Sequence, residues 1–294
     1  MKVAFGSVIY EEAFTYASDF IHSLNCQTHD SFDILLLNDN VSTNNLAYIT
    51  NELRNDPVIW QCEEGLQPYQ LRVELIKEAK RRNYDLLILG DFDDTFSEDR
   101  ISSIVAAYDQ NYAFFYNNLY YINSSRKFFS HLPEQTLCIN AIIESNYIGL
   151  SNSAINLNSI EEAEISKWKH CQNAVFDWYM YSVLLALGLK GKRVDEGKTF
   201  YRIHEHNIAG ENNASYENVM KEIDIKIKHY ASLKHRGKCF NEYLQFYQWL
   251  KSGVQFSNIK IEQYMDTGTE YWWGNIQMIN FKKEIGEDSL HDND

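Results

Sequence analysis

Apolar runs of strand length alternate with amphipathic segments of helix length along the first hundred residues. The predicted strands cover residues 2–10, 32–39, 56–62 and 84–91. The predicted helices cover residues 11–25, 65–83 and 97–108, the last with Ser97 as its N-cap. Because residues 32–39 form a continuous apolar run, as strands buried on both faces do, the alternation predicts an α/β fold with a mostly parallel sheet flanked by helices.

The pattern changes after residue 110. Residues 111–123 are predicted to form paired strands, residues 174–188 a helix closed by Gly188, and residues 198–204 a further strand. From about residue 215 the chain is rich in Lys, Glu, Tyr and Gln and is predicted to be helical. The predicted parts are an α/β domain over residues 1–212 and a helical C-terminal extension over residues 213–294.

Composition excludes several classes of protein. The 294 residues include 27 basic and 41 acidic side chains, and the formal charge of −14 disfavours a nucleic-acid binder. The N-terminal apolar run is too short for a signal peptide, and the most apolar long segment, residues 179–189, is too short to span a bilayer. Five cysteines without CxxC spacing indicate reduced thiols, so we expect a cytoplasmic protein.

The sequence LLILGDFDDTF, residues 86–96, ends a predicted strand with three closely spaced acids, Asp91, Asp93 and Asp94. Carboxylates this close resist ionising together unless a cation offsets their charge. Mg²⁺ or Mn²⁺ would do so and would take further ligands from substrate phosphates. The cluster therefore indicates phosphate chemistry, and the alternative is a solvated loop whose acids cap the next helix.

Two enzyme families place acids in this pattern. Asp91, Asp93 and Thr95 match the DxDxT motif of haloacid dehalogenase-like phosphatases, in which the first Asp is a nucleophile and the second a general acid. That family carries the motif on its first strand and a second acidic cluster downstream. Here the motif follows the fourth predicted strand, and no second cluster is recognised before the C-terminal tail.

The surroundings of the motif resemble family 2 glycosyltransferases with the GT-A fold, which carry a DxD motif. The resemblance covers about residues 1–210, and this chain departs from the usual family residues at Tyr10-Glu11 and at Asn38-Asp39-Asn40. The matching elements are Ser23-Leu24, Gln27-Thr28, Asp39 with Ser42-Thr43, residues 147–157, residues 175–178 and residues 200–210. This resemblance to family 2 glycosyltransferases implies an α/β fold with a GT-A-like, mostly parallel sheet flanked by helices.

The resemblance implies roles for residues on the donor side. Asp39 would accept a hydrogen bond from the nucleotide base, Asp91 would face the ribose or donor sugar, and Arg202 would reach the diphosphate. The implied nucleotide and donor contacts are Tyr10, Glu11, Asp39, Arg72, Asp91 and Arg202. The alternatives are a turn residue for Asp39 and a solvated helix-face residue for Arg72.

The same resemblance implies a divalent cation, Mn²⁺ or Mg²⁺, bound by Asp93, Asp94 and His204. A period of two along the predicted strand puts Arg202, His204 and His206 on one face, which would bring His204 to the metal. Which of the clustered acids binds metal is left open, and a structural histidine is the alternative for His204.

The catalytic and acceptor roles fall later in the chain. Asp177 would be the general base, and it is also a good helix N-cap, a position compatible with that role. The implied acceptor-side residues are Gly149, Ser151, Asn152 and Trp178. Because neighbouring tryptophans of one regular element cannot both face its core, one of Trp272 and Trp273 is predicted to face a membrane, a partner subunit or the acceptor.

The resemblance therefore implies a metal-dependent, inverting glycosyltransferase of polysaccharide biosynthesis. Its expected partners are a nucleotide-sugar donor, with UDP as the expected nucleotide, and a glycan or lipid-linked acceptor. We expect it in the cytoplasm, at the inner face of the membrane where it meets such an acceptor, and without bound nucleic acid. The alternatives are the phosphatase and a catalytically silent nucleotide-sugar-binding protein. The sequence does not specify the sugar, the acceptor or the oligomeric state.

Overall fold

The structure is a computed structural model that describes residues 1–63, 65–171, 175–204, 215–255, 259–261, 265–266 and 270–278. The chain forms two compact units, which are described separately. The first comprises Met1–Cys138, Ile148–His170 and Leu187–Glu205, and the second comprises Ile139–Tyr147, Cys171–Ala186 and His206–Asp294. The predicted boundary at residue 212 lies outside the described residues and stays a prediction.

The first unit is a sheet with helices. Its strands are β1 Val3–Tyr10, β2 Asp33–Asp39, β3 Val58–Gln61, β4 Leu86–Leu89, β5 Thr95–Phe96, β6 Phe114–Tyr116, β7 Leu119–Tyr121, β8 Gln135–Thr136, β9 Ser153–Asn156, β10 Gly191–Arg193 and β11 Thr199–Tyr201. Its helices are α1 Ala17–Asn25, α2 Thr43–Glu52, α3 Pro68–Arg81, α4 Arg100–Ala107 and α5 Glu162–Lys167. Short 3-10 helices cover Glu11–Tyr16, Leu157–Ser159 and Trp168–His170.

The main sheet has the strand order β3-β2-β1-β4-β9-β6-β10-β8. Strands β1 to β4 are parallel to one another, whereas β9 runs antiparallel to both β4 and β6, and β8 runs antiparallel to β10. A second sheet has the order β5-β11-β7. The predicted α/β class with a mostly parallel sheet is confirmed, and the two reversed strands lie in the part after residue 110.

Most predicted elements of the first hundred residues are present, with three corrections in this unit. Helix α4 begins at Arg100 with Asp99 as its N-cap, so the prediction of Ser97 is wrong; the Ser97 hydroxyl donates to Asp99 Oδ1 at 2.6 Å. Residues 111–123 do not pair with themselves, because β6 and β7 belong to different sheets. Strand β11 ends at Tyr201, so His204 follows the strand and does not lie on it.

Helix α2 was not predicted. Its pattern is weak because Ile49 is its only fully buried residue. Side chains hold its start: the Ser42 hydroxyl accepts from the backbone N–H of Asn45 at 3.4 Å, and Glu11 Oε2 accepts from the N–H of Ser42 at 3.0 Å. Capping of this kind satisfies N–H groups that the helix itself leaves without partners.

The core of the first unit contains a cluster of phenylalanines under the acidic segment. The rings of Phe5 and Phe96 lie 5.2 Å apart and those of Phe20 and Phe92 lie 5.1 Å apart, between centroids. Phe92 is fully buried and separates Asp91 from Asp93 in the chain. The segment that carries the acids is therefore fixed to the core between them.

The second unit is helical in its described part. It contains a 3-10 helix at Ile139–Ala141 and the helices α6 Phe176–Ala186, α7 Tyr216–Leu233 and α8 Lys238–Gln255. Gly188, with φ of 79°, follows α6 as predicted. The helical C-terminal extension is confirmed by α7 and α8.

Trp272 and Trp273 of the second unit are 6% and 8% exposed, so the prediction that one of them is exposed is wrong. The segment is not a regular element: Trp273 has φ of 63°, in the left-handed region. That irregular backbone allows two neighbouring indoles to be buried together. Within the described residues, no helix has both the length and the hydropathy needed to cross a bilayer.

Candidate functional site

The acidic cluster begins one residue after β4. Gly90 occupies that position because the Cβ of any other residue would lie 2.5 Å from Phe5 Cζ and from Phe96 Cζ. Asp93 is 8% exposed and Asp94 is 1% exposed, whereas the side chain of Asp91 is about one-third exposed. In sheets of this type ligands bind at the carboxyl ends of the strands, which is where these three acids lie.

The residues after β11 contact the same cluster. His204 Nε2 lies 2.8 Å from Asp93 Oδ2. The backbone N–H of Arg202 donates to Asp94 Oδ1 at 2.8 Å, and Arg202 Nε donates to the carbonyl of Asp93 at 2.8 Å. The structure thus places His204 against Asp93 and the main chain of Arg202 against Asp94, although these contacts join positions more than a hundred residues apart in the chain.

The cluster carries more negative charge than its protein surroundings offset. Burial and then the charges of Asp93 and Asp91 raise the pKa of Asp94 well above its usual value. Burial also raises the pKa of Asp91, although Arg72 Nη2, 3.4 Å from Asp91 Oδ1, opposes the rise. Burial and then Asp93 and Asp91 raise the pKa of the Tyr10 hydroxyl, so Tyr10 also lies in the field of the cluster.

These residues fit a divalent cation that completes its shell with substrate. No three His, Cys, Asp or Glu side chains are arranged as a ready-made metal site among the described residues. The pair that could hold an ion is Asp93 and His204, and the buried Asp94 follows Asp93 directly in the chain. Mg²⁺-type sites use one or two carboxylates plus phosphate oxygens, so this pair fits an ion whose remaining ligands come from substrate.

Arg202 has partners that the sequence did not indicate. Its Nη2 lies 2.9 Å from Asp19 Oδ2, and its guanidinium carbon lies 4.3 Å from the centre of the Tyr16 ring. The ring of His204 stacks on the same Tyr16, with centroids 6.2 Å apart and planes 15° apart. Tyr16 and Asp19 therefore help to hold the segment after β11, and the sequence offered no signal for either.

The end of β2 carries the predicted base contact. The carboxylate of Asp39 accepts from Asn40 Nδ2 at 3.2 Å, while burial and then Glu12 raise its pKa. Asn40 has φ of 61°, so an asparagine makes the left-handed turn for which a glycine is usual. Glu11 was predicted to contact the sugar donor. In the structure its carboxylate accepts from the N–H of Ser42 and, at 2.7 Å, from Asn45 Nδ2, both at the start of α2.

The segment predicted to lie on the acceptor side is attached to the acidic cluster. The N–H of Asp91 donates to Ser151 Oγ at 3.2 Å. Asn152 is fully buried, and its amide accepts from the N–H of Gly149 at 2.7 Å and donates to the carbonyl of Asn117 at 2.8 Å. Asn152 therefore holds the 149–152 segment in place through buried contacts.

A buried arginine was missed. Arg100, in the first turn of α4, is 0% exposed and donates through Nη2 to the carbonyls of Leu89 at 2.7 Å and Ser151 at 2.8 Å. The available signal was a basic residue on the apolar face of the helix that follows the acids, at the position before Ile101.

The second unit carries the last two predicted residues. Asp177 lies in the first turn of α6, half-buried, and its Oδ1 accepts from the N–H of Trp178 at 2.6 Å. Trp178 is fully buried, donates from Nε1 to the carbonyl of Ile142 at 2.6 Å, and stacks on His229 with centroids 3.9 Å apart. The indole of Trp178 is thus enclosed by protein, and its acceptor-side role stays a prediction.

Comparison with known proteins gives one family and several similar structures. The family model of glycosyl transferase family 2 matches residues 8–159. Residues 1–349 of TarS from S. aureus, solved with UDP-GlcNAc, are 14% identical with a TM-score of 0.58, over 90% of this chain and 78% of that one. A search of curated proteins by sequence gives no match.

Two further structures are similar. The mannosyltransferase PcManGT from Pyrobaculum calidifontis, solved with GDP-Man and Mn²⁺, is 10% identical with a TM-score of 0.55, over 90% of this chain and 76% of that one. GalNAc-T7, solved with UDP, GalNAc and Mn²⁺, is 11% identical with a TM-score of 0.53, over 80% of this chain and 48% of that one. At these identities the likeness shows the fold.

Proposed function

The chain belongs to glycosyl transferase family 2, and we propose that it is a metal-dependent, inverting enzyme that transfers one sugar to a hydroxyl of a glycan or lipid-linked acceptor. The family and the fold support a nucleotide-sugar glycosyltransferase with a GT-A fold. Membership of this family excludes the haloacid dehalogenase-like interpretation of Asp91 and Asp93.

One observation carries the proposal of metal dependence. Asp93 Oδ2 and His204 Nε2 lie 2.8 Å apart beside the buried Asp94, whose pKa is raised by burial and by the neighbouring acids. A cation bound there would act as a Lewis acid toward the departing diphosphate. Two similar structures were solved with Mn²⁺, which supports Mn²⁺ or Mg²⁺ as the ion.

The donor roles are proposed for residues of the first unit. Asp39 accepts from the nucleotide base, Asp91 faces the ribose or sugar, and Tyr10 and Arg72 lie in the field of the same acids. Arg202 holds Asp93 and Asp94 through Nε and its main chain, and its Nη2, which pairs with Asp19 in the structure, is the proposed contact to the diphosphate. UDP is the proposed nucleotide, although similar structures carry both UDP-GlcNAc and GDP-Man.

Asp177 is the proposed general base. Its carboxylate removes the proton from the acceptor hydroxyl as that oxygen attacks the anomeric carbon from the face opposite the diphosphate. The new bond forms on the opposite face, so the configuration inverts. General base catalysis contributes about 10² to 10⁴-fold to a rate. We propose that this occurs in the cytoplasm, at the inner face of the membrane for a lipid-linked acceptor.

The test is thermal unfolding of the purified chain with UDP, dTDP, GDP or CMP, each with Mn²⁺ and with EDTA. A ligand at about 100 times its Kd adds about 2.7 kcal/mol, which raises Tm by several degrees. We expect one nucleotide to raise Tm only with Mn²⁺. The shift should disappear in Asp93→Asn and persist in Asp30→Asn, which removes an exposed carboxylate paired with Arg54.

Three outcomes would count against parts of the proposal. An equal shift in EDTA would remove the metal dependence, and the absence of a shift with every nucleotide would remove the donor site. Tight nucleotide binding, with neither hydrolysis nor transfer of the sugar from any UDP-, dTDP- or GDP-sugar, would favour the catalytically silent binding protein.

A further inference from the structure

A buried positive charge lies at the end of β4, directly behind the acidic cluster. Arg100 is 0% exposed, and its guanidinium contacts the carbonyl of Leu89, two positions before Asp91, and the carbonyl of Ser151. Its guanidinium carbon also lies 4.6 Å from the centre of the Phe96 ring. Removing an arginine from water is costly, so such a residue needs a geometric or electrostatic reason.

The arginine is the centre of a buried polar network. Its Nε donates to Asn117 Oδ1 at 3.4 Å, and Asn117 Nδ2 donates to Thr199 Oγ1 at 3.1 Å. The Thr199 hydroxyl donates to the same Ser151 carbonyl at 3.1 Å, and Asn152 donates to the carbonyl of Asn117 at 2.8 Å. All of these side chains are less than 5% exposed.

The network joins the segments that present the proposed site residues. Leu89 ends the strand that leads to Asp91, residues 149–152 form the segment that holds the N–H of Asp91, and Thr199 begins the strand that leads to Arg202 and His204. Each connection is a hydrogen bond to backbone or to a buried amide or hydroxyl. A change at Arg100 therefore reaches all three segments at once.

Electrostatics act in the same direction. Two guanidinium groups lie near Asp91: Arg72 Nη2 is 3.4 Å from Asp91 Oδ1, and Arg100 Nη2 is 2.7 Å from the carbonyl of Leu89, two positions before Asp91. Arg72 is partly exposed, with 30% of its side chain accessible, whereas Arg100 is enclosed. The charge of Arg100 is thus the one that solvent screens least.

We infer that Arg100 is a positioning residue of the donor site: its buried guanidinium holds the end of β4 against residue 151 and so fixes Asp91 and the 149–152 segment in one arrangement. Arginine donates from two nitrogens of one rigid plane, Nη2 to the Leu89 and Ser151 carbonyls and Nε to Asn117 Oδ1, and the single nitrogen of lysine does not reproduce that geometry. That Arg100 fixes these segments does not depend on the proposed function. That the fixed segments bind a nucleotide-sugar donor rests on the proposed function.

The first experiment needs no ligand. Amide hydrogen exchange is measured on the full chain as wild type, Arg100→Lys and Asn156→Ala. Asn156 is a matched control, because it is 1% exposed and bonds the Tyr112 carbonyl at 3.1 Å, but it faces Leu86 at the other end of β4. In Arg100→Lys we expect exchange to be about tenfold faster in peptides covering residues 89–94 and 147–153, with little change in α1 and α3.

A milder variant covers the case in which Arg100→Lys does not fold. Thr199→Val keeps the shape of the side chain but removes the hydroxyl that donates to Ser151 and accepts from Asn117. It should raise exchange in the same two peptides by a smaller factor. Exchange that rises evenly over the first unit, or as much in Asn156→Ala as in the network variants, would overturn the inference.

The second experiment separates positioning from stability. The Kd of the nucleoside diphosphate with Mn²⁺ is measured well below the Tm of every variant. We expect Arg100→Lys to weaken binding by about tenfold and Asn156→Ala to leave it unchanged. Wild-type binding in a folded Arg100→Lys would overturn the role. If the wild type binds no nucleotide, the proposed function fails, and the exchange pattern alone decides whether Arg100 positions these segments.

Discussion

At the scale of single residues, the acidic cluster depends on how closely the chain passes over the phenylalanine core. Gly90 joins β4 to Asp91, and a Cβ there would meet the rings of Phe5 and Phe96 at 2.5 Å. Aromatic rings in a packed core cannot retreat without displacing their neighbours. The position of Asp91 and Asp93 therefore depends on a glycine at position 90 as well as on the contacts of the two acids themselves.

We expect Gly90→Ala to lower the free energy of unfolding by about 1–3 kcal/mol, because overpacking of a core has that cost. It should also weaken Mn²⁺-dependent nucleotide binding, since Asp91 must shift. Urea unfolding and calorimetric titration measure the two effects. Gly237→Ala is the control, because its Cβ would meet its nearest neighbour, Cys239 Sγ, at 3.7 Å. Equal stability of the two variants would contradict the argument.

His229 gives the second unit a dependence on pH. Burial and then Lys226 lower the pKa of His229 from 6.5 to about 3. Below about pH 6.5, His229 therefore binds a proton in the unfolded chain but stays neutral in the folded protein. The free energy of unfolding falls as pH falls through this range, and the contribution of His229 between about pH 7.5 and pH 5 is about 2 kcal/mol.

The variant His229→Gln tests this, because glutamine does not titrate. Its free energy of unfolding should fall less than that of the wild type between the two pH values, whatever its absolute stability. The difference between the two slopes isolates His229 from the other histidines of the chain. Parallel slopes would show that His229 has the same pKa in the folded protein as in the unfolded chain, which would contradict the effect of burial.

The sequence made some of these residues predictable and others not. Asp91, Asp93 and Asp94 follow an apolar run, so their spacing alone indicated a site, whereas His204 was indicated by the resemblance to family 2 glycosyltransferases. Arg100 and Tyr16 act through contacts with carbonyls and rings that lie far away in the chain. Such contacts leave no local pattern, because one basic or aromatic residue on a helix has many equivalent interpretations.

At the scale of elements, buried strands were predictable and irregular segments were not. Strand β2 is a continuous apolar run, whereas α2 depends on Ser42 and Glu11 and has little apolar periodicity. The segment with Trp272 and Trp273 depends on a left-handed residue that side-chain periodicity does not reveal. Both cases share a cause: capping and turn geometry are decided by tertiary contacts.

A buried ion pair holds part of the second unit. Lys226 Nζ lies 3.1 Å from Glu222 Oε1, both on α7, and their side chains are 0% and 2% exposed. Glu222 also accepts from the N–H groups of Asn275 at 3.2 Å and Ile276 at 3.1 Å. Helix α7 therefore binds the 275–276 backbone through a charged side chain.

We expect Lys226→Met to lower the free energy of unfolding by about 3–5 kcal/mol, because it leaves Glu222 buried without its cation. Lys251→Met is the matched control on α8. It breaks a contact of 2.6 Å between Lys251 and Asp224, whose side chains are 38% and 47% exposed. The loss should cost no more than about 1 kcal/mol. Denaturant unfolding followed by tryptophan fluorescence compares them, and equal losses would contradict a role for burial.

At the scale of the whole molecule, the proposed roles divide between the two units. The donor and metal residues belong to the first unit, and Asp177 belongs to the second. Motif order along the chain was enough to propose both sets, because the resemblance ran through them in sequence. The sugar and the acceptor were not predictable, since no motif of this chain encodes the shape of a pocket.

This division has a consequence for kinetics. Asp177→Asn keeps the size of the side chain and removes the carboxylate that we propose as the base, so the proton of the acceptor hydroxyl would have no acceptor in the transition state. We expect kcat to fall by about 10² to 10⁴-fold while the Kd of the nucleotide with Mn²⁺ stays unchanged. Asp224→Asn, which changes a partly exposed acid of the same unit, should alter neither. Loss of nucleotide binding in Asp177→Asn would assign this residue to the donor site, and full turnover would require another base.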